Sequence, residues 1–81
     1  MPLFYFDVRE GSTFVQDEEG IDFPDLDKAE QEAIQAVVSI GRERLPRGDS
    51  RDVTVEVQDE NRKRVLTVTV ALTVDRVDAS S

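Results

Sequence analysis

The side chains able to do chemistry in this 81-residue chain are mostly carboxylates. There are 18 Asp and Glu residues against 10 Lys and Arg residues, with no histidine and no cysteine. The commonest general base, the strongest nucleophile and the usual zinc ligands are therefore missing. So many carboxylates form some close pairs by chance, and a pair alone does not indicate acid–base catalysis. We predict that the chain is not an enzyme and holds no cofactor.

The densest group of acids lies in the segment 17–22, which contains Asp17, Glu18, Glu19 and Asp22. Carboxylate oxygens of this kind bind Ca²⁺ or Mg²⁺. The segment does not have the spacing of a calcium-binding loop, because its glycine comes too early. A solvated acidic turn is the favoured interpretation, and a weak divalent-cation site is the alternative.

A second polar group combines acids from several turns with one arginine. We predict that these residues form a polar latch, which fixes the first two turns against the start of the helix. A role in orienting a ligand is the alternative. The latch residues are Asp7, Arg9, Asp17 and Asp25.

The net charge of −8 lies entirely in the first part of the chain. Residues 1–32 carry ten acids against Arg9 and Lys28, whereas residues 33–81 carry eight acids and eight bases. Nucleic acid is repelled by such a surface, since binding phosphates requires basic side chains. A basic protein is attracted to it. We therefore expect no nucleic-acid partner.

The sequence also lacks the signals of membrane insertion and secretion. No apolar run approaches the ~20 residues that span a bilayer. The first residues have no basic segment like that of a secretory signal. The absence of cysteine is compatible with a reducing compartment. We expect a cytoplasmic protein with no membrane partner.

The hydrophobic pattern predicts one helix among short strands. Strict alternation at residues 3–8 indicates a half-buried strand, and residues 13–15 and 21–23 indicate shorter extended pieces. Asp25 or Asp27 can cap the helix that follows, which ends before Pro46. The apolar arc assigned to this helix is wider than contact with a sheet requires, and it includes Leu26, Ala29, Ala33, Ala36, Val37 and Ile40.

Period-two alternation returns at residues 53–58 and again at 64–74, with a polar hairpin loop between them. The last strand is about 11 residues long against a usual 5–6. Its far end outruns its neighbours, so it either kinks or pairs with another chain. The prediction is an α+β fold, β-(β)-α-β-β, with a mostly antiparallel three- to four-stranded sheet and one helix on one face. Residues 1–75 form one domain, and 76–81 form a flexible tail.

The surfaces left over suggest an interaction module rather than a catalyst. We predict that the chain self-associates, as a homodimer, or binds another protein partner. An antitoxin-like or regulatory protein that masks a basic partner with its acidic N-terminal half is the alternative. The candidate interaction surface comprises Leu3, Tyr5, Thr67, Thr69, Ala71, Ile34 and Val38.

Several motifs resemble a known family. The chain opens with M-P-x-[FY]-[FY]-F-D-x-R-[DE]-G, continues with D-E-E-G and F-P-D-L, and has V-x-V-x-D-E before the hairpin. It thus resembles, over nearly its whole length, the proteobacterial domain-of-unknown-function family numbered 6894. The resemblance implies a bacterial origin and a stand-alone domain, and it supplies no activity or site residue. A glycine often follows the Asp-Glu of this hairpin; here Asn61 stands in its place and tolerates the same left-handed conformation.

A partial resemblance to the HicB-type antitoxins rests on fewer residues. Asp17 and Gly20, followed by Pro24-Asp25 and by Glu32-Ala33 in the helix, echo their D-x-x-G, P-D and E-A pattern. Those proteins use an acidic face against a basic toxin. The resemblance implies a similar topology.

Overall fold

A computed structural model describes residues 2–78 of the chain. It contains five strands and one long helix, which continues into a short 3₁₀ turn at Leu45–Arg47. The predicted α+β class is confirmed, and the sheet has one strand more than the three or four expected. The elements are β1 (Leu3–Glu10), β2 (Thr13–Val15), β3 (Ile21–Asp22), α1 (Leu26–Arg44), β4 (Asp52–Gln58) and β5 (Arg64–Ala71).

Every strand pairing in the sheet is antiparallel, and the main order is β2-β1-β4-β5. The two shortest strands lie along the same side of β1. There β2 pairs with residues 8–10, and β3 pairs with residues 3–4. At the other side of the sheet, β4 is the only strand within residues 2–78 that pairs with β5. The sheet therefore has one edge made of two short pieces and one edge made of a single long strand.

The helix begins where the sequence predicted, with Asp25 as its N-cap. The Asp25 side chain accepts a hydrogen bond of 2.9 Å from the backbone N–H of Lys28, while Asp27 lies in the first turn. Arg42 and Arg44 occupy the last turn, where their positive charges interact favourably with the negative end of the helix dipole. The chain then turns at Gly48, whose φ of 81° explains the glycine.

The core lies between α1 and one face of the sheet. Two buried alanines four residues apart, Ala29 and Ala33, let the helix approach β4. The three valines of β4 are fully buried and contribute roughly 1.5–3 kcal/mol each. Leu26, predicted in the apolar arc, is instead 40% exposed, because it begins the helix beyond the end of the sheet contact. The core residues are Phe4, Ala29, Ala33, Val37, Leu45, Val53, Val55 and Val57.

The helix also packs closely on β5. A Cβ atom at Gly41 would lie 2.7 Å from Cγ1 of Val70, so only glycine permits this approach. The helix therefore lies over both β4 and β5, while the part of the chain that the structure describes places no helix on the opposite face of the sheet. Within residues 2–78, no helix is sufficiently long and apolar to pass through a membrane.

The last strand is regular only in its middle. Near its start, Leu66 lies opposite Val57 but Arg64 lies opposite Gln58, so Val65 is an extra residue in a β-bulge. Near its end, Ala71 lies opposite Asp52, the first residue of β4. The strand ends there rather than at residue 74, because β4 offers no further partner.

Beyond Ala71, one more backbone bond holds the chain to the sheet. The N–H of Leu72 donates to the carbonyl of Arg51 at 2.9 Å. Val74 and Val77 then stand 81% and 83% exposed. The molecule measures 60 Å in its longest dimension and 23 and 19 Å in the others, which indicates that this segment leaves the body. Of the predicted tail at 76–81, residues 79–81 lie outside the described residues.

Candidate functional site

A buried carboxylate lies on the face of the sheet opposite the helix. Odd-numbered residues of β1 point to that face, and Asp7 is 1% exposed there. One oxygen accepts from the backbone N–H of Asp17 and the other from Nε2 of Gln58, both at 2.8 Å. Nη1 of Arg62 lies 3.8 Å from the first oxygen. The charge of Asp7 is therefore satisfied inside the protein, and its burial leaves no oxygen for a ligand.

The Asp17 carboxylate occupies the gap between β2 and β3 along β1. It accepts backbone N–H bonds from Phe6 at 3.0 Å and from Glu19 and Gly20 at 3.1 Å. Burial raises the pKa of Asp17, but the three backbone bonds and the charge of Arg62 outweigh it, so the pKa lies below its ordinary value of 3.8. Asp17 thus replaces a strand carbonyl at the edge of β1.

Arg62 adopts the left-handed conformation in the hairpin between β4 and β5, with a φ of 66°. Asn61, which tolerates this conformation, does not adopt it here. The Asp59 carboxylate accepts from the N–H groups of Asn61 and Lys63, at 2.9 and 3.0 Å, which fixes the turn so that the left-handed position falls one residue later. Arg62 then lies over the ring of Tyr5, 3.6 Å from its centroid.

The structure brings together two of the four predicted latch residues, Asp7 and Asp17. Arg9 lies elsewhere, where its Nε donates to Glu56 at 3.2 Å and its guanidinium covers the ring of Phe14. Asp25 caps the helix. Sequence reasoning missed Gln58 and Arg62, because Gln58 lies 51 residues from its partner Asp7 and only strand register joins them.

The acidic segment 17–22 uses the carboxylate of its first residue, Asp17, for the backbone bonds described above. In the part of the chain that the structure describes, no three acidic side chains come together as a group that could hold a metal ion. The remaining acids of the stretch 18–32 are exposed. Among the ion pairs formed within residues 2–78, none includes a carboxylate of this stretch. The result is an acidic surface around the start of α1.

The seven residues of the predicted interaction surface lie in three places. Thr67, Thr69 and Ala71 are exposed on β5, and Thr69 shares a 2.7 Å hydrogen bond with the hydroxyl of Thr54. Two strands away, on β1, Tyr5 lies under Arg62, and Leu3 packs against Gly20. Ile34 and Val38 are on α1, on the other side of the sheet. The structure therefore does not bring the seven residues into one surface.

A largely apolar groove is nevertheless present where α1 meets the free edge of β5. Val38 is 41% exposed and Leu72 is 43% exposed, and Ile34 lies one helical turn before Val38. The groove runs between them, and its lining is Val38, Gly41, Arg42, Leu45, Pro46, Val70, Ala71 and Leu72. We call this surface, together with the edge of β5, the β5 flank.

The backbone of the β5 flank offers hydrogen-bonding groups that have no partner among the described residues, 2–78. Because the N–H of Leu72 points toward β4, alternation places the groups of residues 66, 68 and 70 on that side as well. The N–H and C=O groups of Thr67, Thr69 and Ala71 therefore point out of the sheet. None of these three residues is charged or proline, which are the usual means of protecting an edge.

The comparisons with known proteins identify one family. The family described as "Domain of unknown function (DUF6894)" matches residues 3–71, from the first residue of β1 to the last residue of β5. No curated protein and no solved structure matches the chain. The resemblance to HicB-type antitoxins stays a prediction. The chain belongs to the DUF6894 family.

Proposed function

We propose that this chain is a small non-enzymatic module that self-associates, as a homodimer, through its β5 flank. The observation that carries the proposal is the coincidence of an unpaired strand edge with exposed apolar side chains of the neighbouring helix. An unprotected edge is a template for pairing with another strand. Exposed apolar side chains beside it add a favourable contribution when water is removed from them.

A second copy fits this surface better than an unrelated strand. The same flank supplies both the strand edge and the apolar side chains, and an isologous dimer uses one patch twice. The opposite edge of the sheet competes poorly, because it consists of two short strands, β2 and β3, with the Asp17 carboxylate bound to β1 between them. We place the module in the cytoplasm, which the absence of cysteine supports.

Sedimentation equilibrium from low to high micromolar concentration tests the proposal. The wild-type chain is expected to be dimeric at the upper end, and Val38→Lys is expected to weaken the dimer about tenfold or more, because it desolvates a charge in the groove. Val15→Lys is the matched control. Val15 is an exposed valine on β2, at the opposite edge, and its replacement should leave the dimer unchanged. A wild-type chain that stays monomeric at high micromolar concentration would refute the proposal.

The acidic surface around the start of α1 favours a second candidate function, the masking of a basic protein partner. Its carboxylates are exposed and form no ion pair within residues 2–78, so they are available to external cations. Salt separates the two candidates. Added salt weakens a complex between opposite charges because it screens their attraction. Two copies of this chain carry a net charge of −8 each, so added salt instead reduces the repulsion between them. A small basic protein encoded beside this one would support the second candidate, and its absence would count against it.

A further inference from the structure

We infer that two copies pair β5 against β5 in an antiparallel arrangement, with Thr69 of each copy opposite Thr69 of the other. The inference rests on the proposed self-association and specifies its register. It follows from three features of β5: the direction of its backbone groups, the limits of its regular portion, and the position of α1 above it.

The backbone limits which residues can face each other. A two-fold axis perpendicular to the sheet keeps each side chain on its own face, so the helix-side residues of one copy lie opposite helix-side residues of the other. The groups that point out of the sheet belong to Thr67, Thr69 and Ala71. If Thr69 lies on the axis, Thr67 of one copy faces Ala71 of the other. Every outward N–H and C=O of these three residues then obtains a partner.

The regular portion of β5 is centred on the same residue. The bulge at Val65 interrupts the strand on one side, and the last bond to the sheet, at Leu72, marks its limit on the other. The regular portion is therefore 66–72, and its midpoint is Thr69. Two such portions overlap completely only in this register. On the helix side, it places Leu66 opposite Leu72, which covers an exposed leucine.

The position of the helix agrees with this arrangement. Because α1 lies over both β4 and β5, its axis lies about one strand spacing from the proposed two-fold axis. Two helices related by that axis are therefore separated by about two strand spacings, or roughly 10 Å. Packed helices lie about 8–10 Å apart. Val38 lines the groove of the β5 flank, and Ile34 lies one helical turn before it. Both are exposed, and they are the residues that meet between the two helices.

Cysteine cross-linking tests the register directly, since the chain has no cysteine of its own. Thr69→Cys is expected to give a covalent dimer under mild oxidation, because facing residues have Cα atoms about 5.5 Å apart, within reach of a disulfide. Thr67→Cys is the matched control, an exposed threonine on the same strand and face. Its two copies are displaced by four residues, about 14 Å, and should not cross-link.

A mixture of Thr67→Cys and Ala71→Cys chains adds an independent arm, in which only the mixed covalent dimer is expected. A facing pair of cysteines can be too strained to form a disulfide. Spin labels therefore give a second measurement, with one label attached in each of the single variants Thr67→Cys, Thr69→Cys and Ala71→Cys. The distance between labels should be shortest at 69, and equal and longer at 67 and 71. Circular dichroism checks that each variant is folded.

The outcomes separate the register from the proposed function. A dimer in which Thr67→Cys or Ala71→Cys links to itself, or in which the shortest label distance is not at 69, overturns the register and leaves self-association standing. A chain that is monomeric by sedimentation at high micromolar concentration overturns both.

Discussion

The two edges of the sheet are completed in different ways. Along β1, the short strands β2 and β3 bind the two ends, and the Asp17 carboxylate accepts the N–H of Phe6 between them. Along the outer side of β5, the structure shows no strand or side chain bound to the backbone within residues 2–78. The outer side of β1 is thus closed by a segment that follows it directly in sequence, whereas the outer side of β5 is open.

This difference shows that backbone hydrogen-bonding groups at a strand edge can serve either to stabilise a single copy or to bind a second one. Buried backbone groups require partners, and a segment close in sequence supplies them at a small loss of loop entropy. The closed edge therefore contributes to the stability of a single copy. The open edge leaves its groups to water in a single copy, so its contribution appears only on association.

The largest expected effect comes from breaking the closed edge at Asp17. Asp17→Ala removes the acceptor of three backbone N–H groups, of which one is exposed and two are partly buried. Bonds to a charged acceptor are each worth about 1.5–3 kcal/mol, and water can replace part of them, so we expect the free energy of unfolding to fall by about 3 kcal/mol. Urea denaturation measures the change. Glu18→Ala, at the exposed neighbour, should change stability by less than about 0.5 kcal/mol. Equal stability of the two variants would contradict the role of Asp17.

The hairpin that leads into the open edge is expected to show a smaller effect. Arg62→Ala keeps the left-handed backbone and loses the contacts with Tyr5 and Asp7, whereas Arg62→Gly loses the same contacts and removes the backbone strain. We expect the glycine variant to be more stable than the alanine variant by about 1 kcal/mol. Thermal unfolding of the two proteins checks this. An alanine variant as stable as the glycine variant would show that position 62 is not strained.

At the open edge, a change that prevents pairing should affect a single copy little. Thr67→Pro removes an N–H that points away from β4, so we expect a loss of less than about 1 kcal/mol in the monomer together with loss of the dimer. Thr54→Pro is the matched control. It removes an N–H in β4, between β1 and β5, and should destabilise the fold by about 3 kcal/mol or more. Similar losses for both prolines, by urea denaturation, would mean that the edge of β5 is not open.

The smallest expected effect is the pH dependence at the closed edge. The folded-state pKa of Asp17 lies below its unfolded value, so the folded protein binds fewer protons there. The stabilisation is complete above the unfolded pKa and is lost as the pH falls from about 4 through the folded pKa. Asp17→Asn lacks this dependence, and its stability should fall less steeply than that of the wild type between about pH 5 and pH 3. Parallel curves would contradict the prediction.

Local pattern was sufficient for most of the fold. The strand at β1, the cap at Asp25 and the alternation of β4 each depend on residues a few positions apart, and each was predicted. The register of the hairpin was not, because a single extra residue at Val65 is not visible in an alternating pattern. The left-handed position at Arg62 was not predicted either, since the turn is set by bonds to Asp59.

The candidate site depended more strongly on long-range contacts. Asp7 and Asp17 are two of the four predicted latch residues and lie ten residues apart in the sequence. The structure brings them together, because the N–H of Asp17 donates to Asp7. Gln58 and Arg62 complete the cluster from the far end of the chain. The helix residues Ile34 and Val38 were assigned to one surface with Leu3 and Tyr5, but the sheet lies between them. Which residues share a surface depends on how the layers pack.

By itself, the sequence determined the class of fold, the acidic start of the chain and the lack of histidine and cysteine chemistry, because these follow from residue types and short periods. Only the tertiary structure decided that β1 is closed by Asp17 and that β5 remains open beside an apolar helix flank. The physical reason is that a backbone N–H has the same chemistry in every strand. Whether it is satisfied depends on what the folded chain places opposite it.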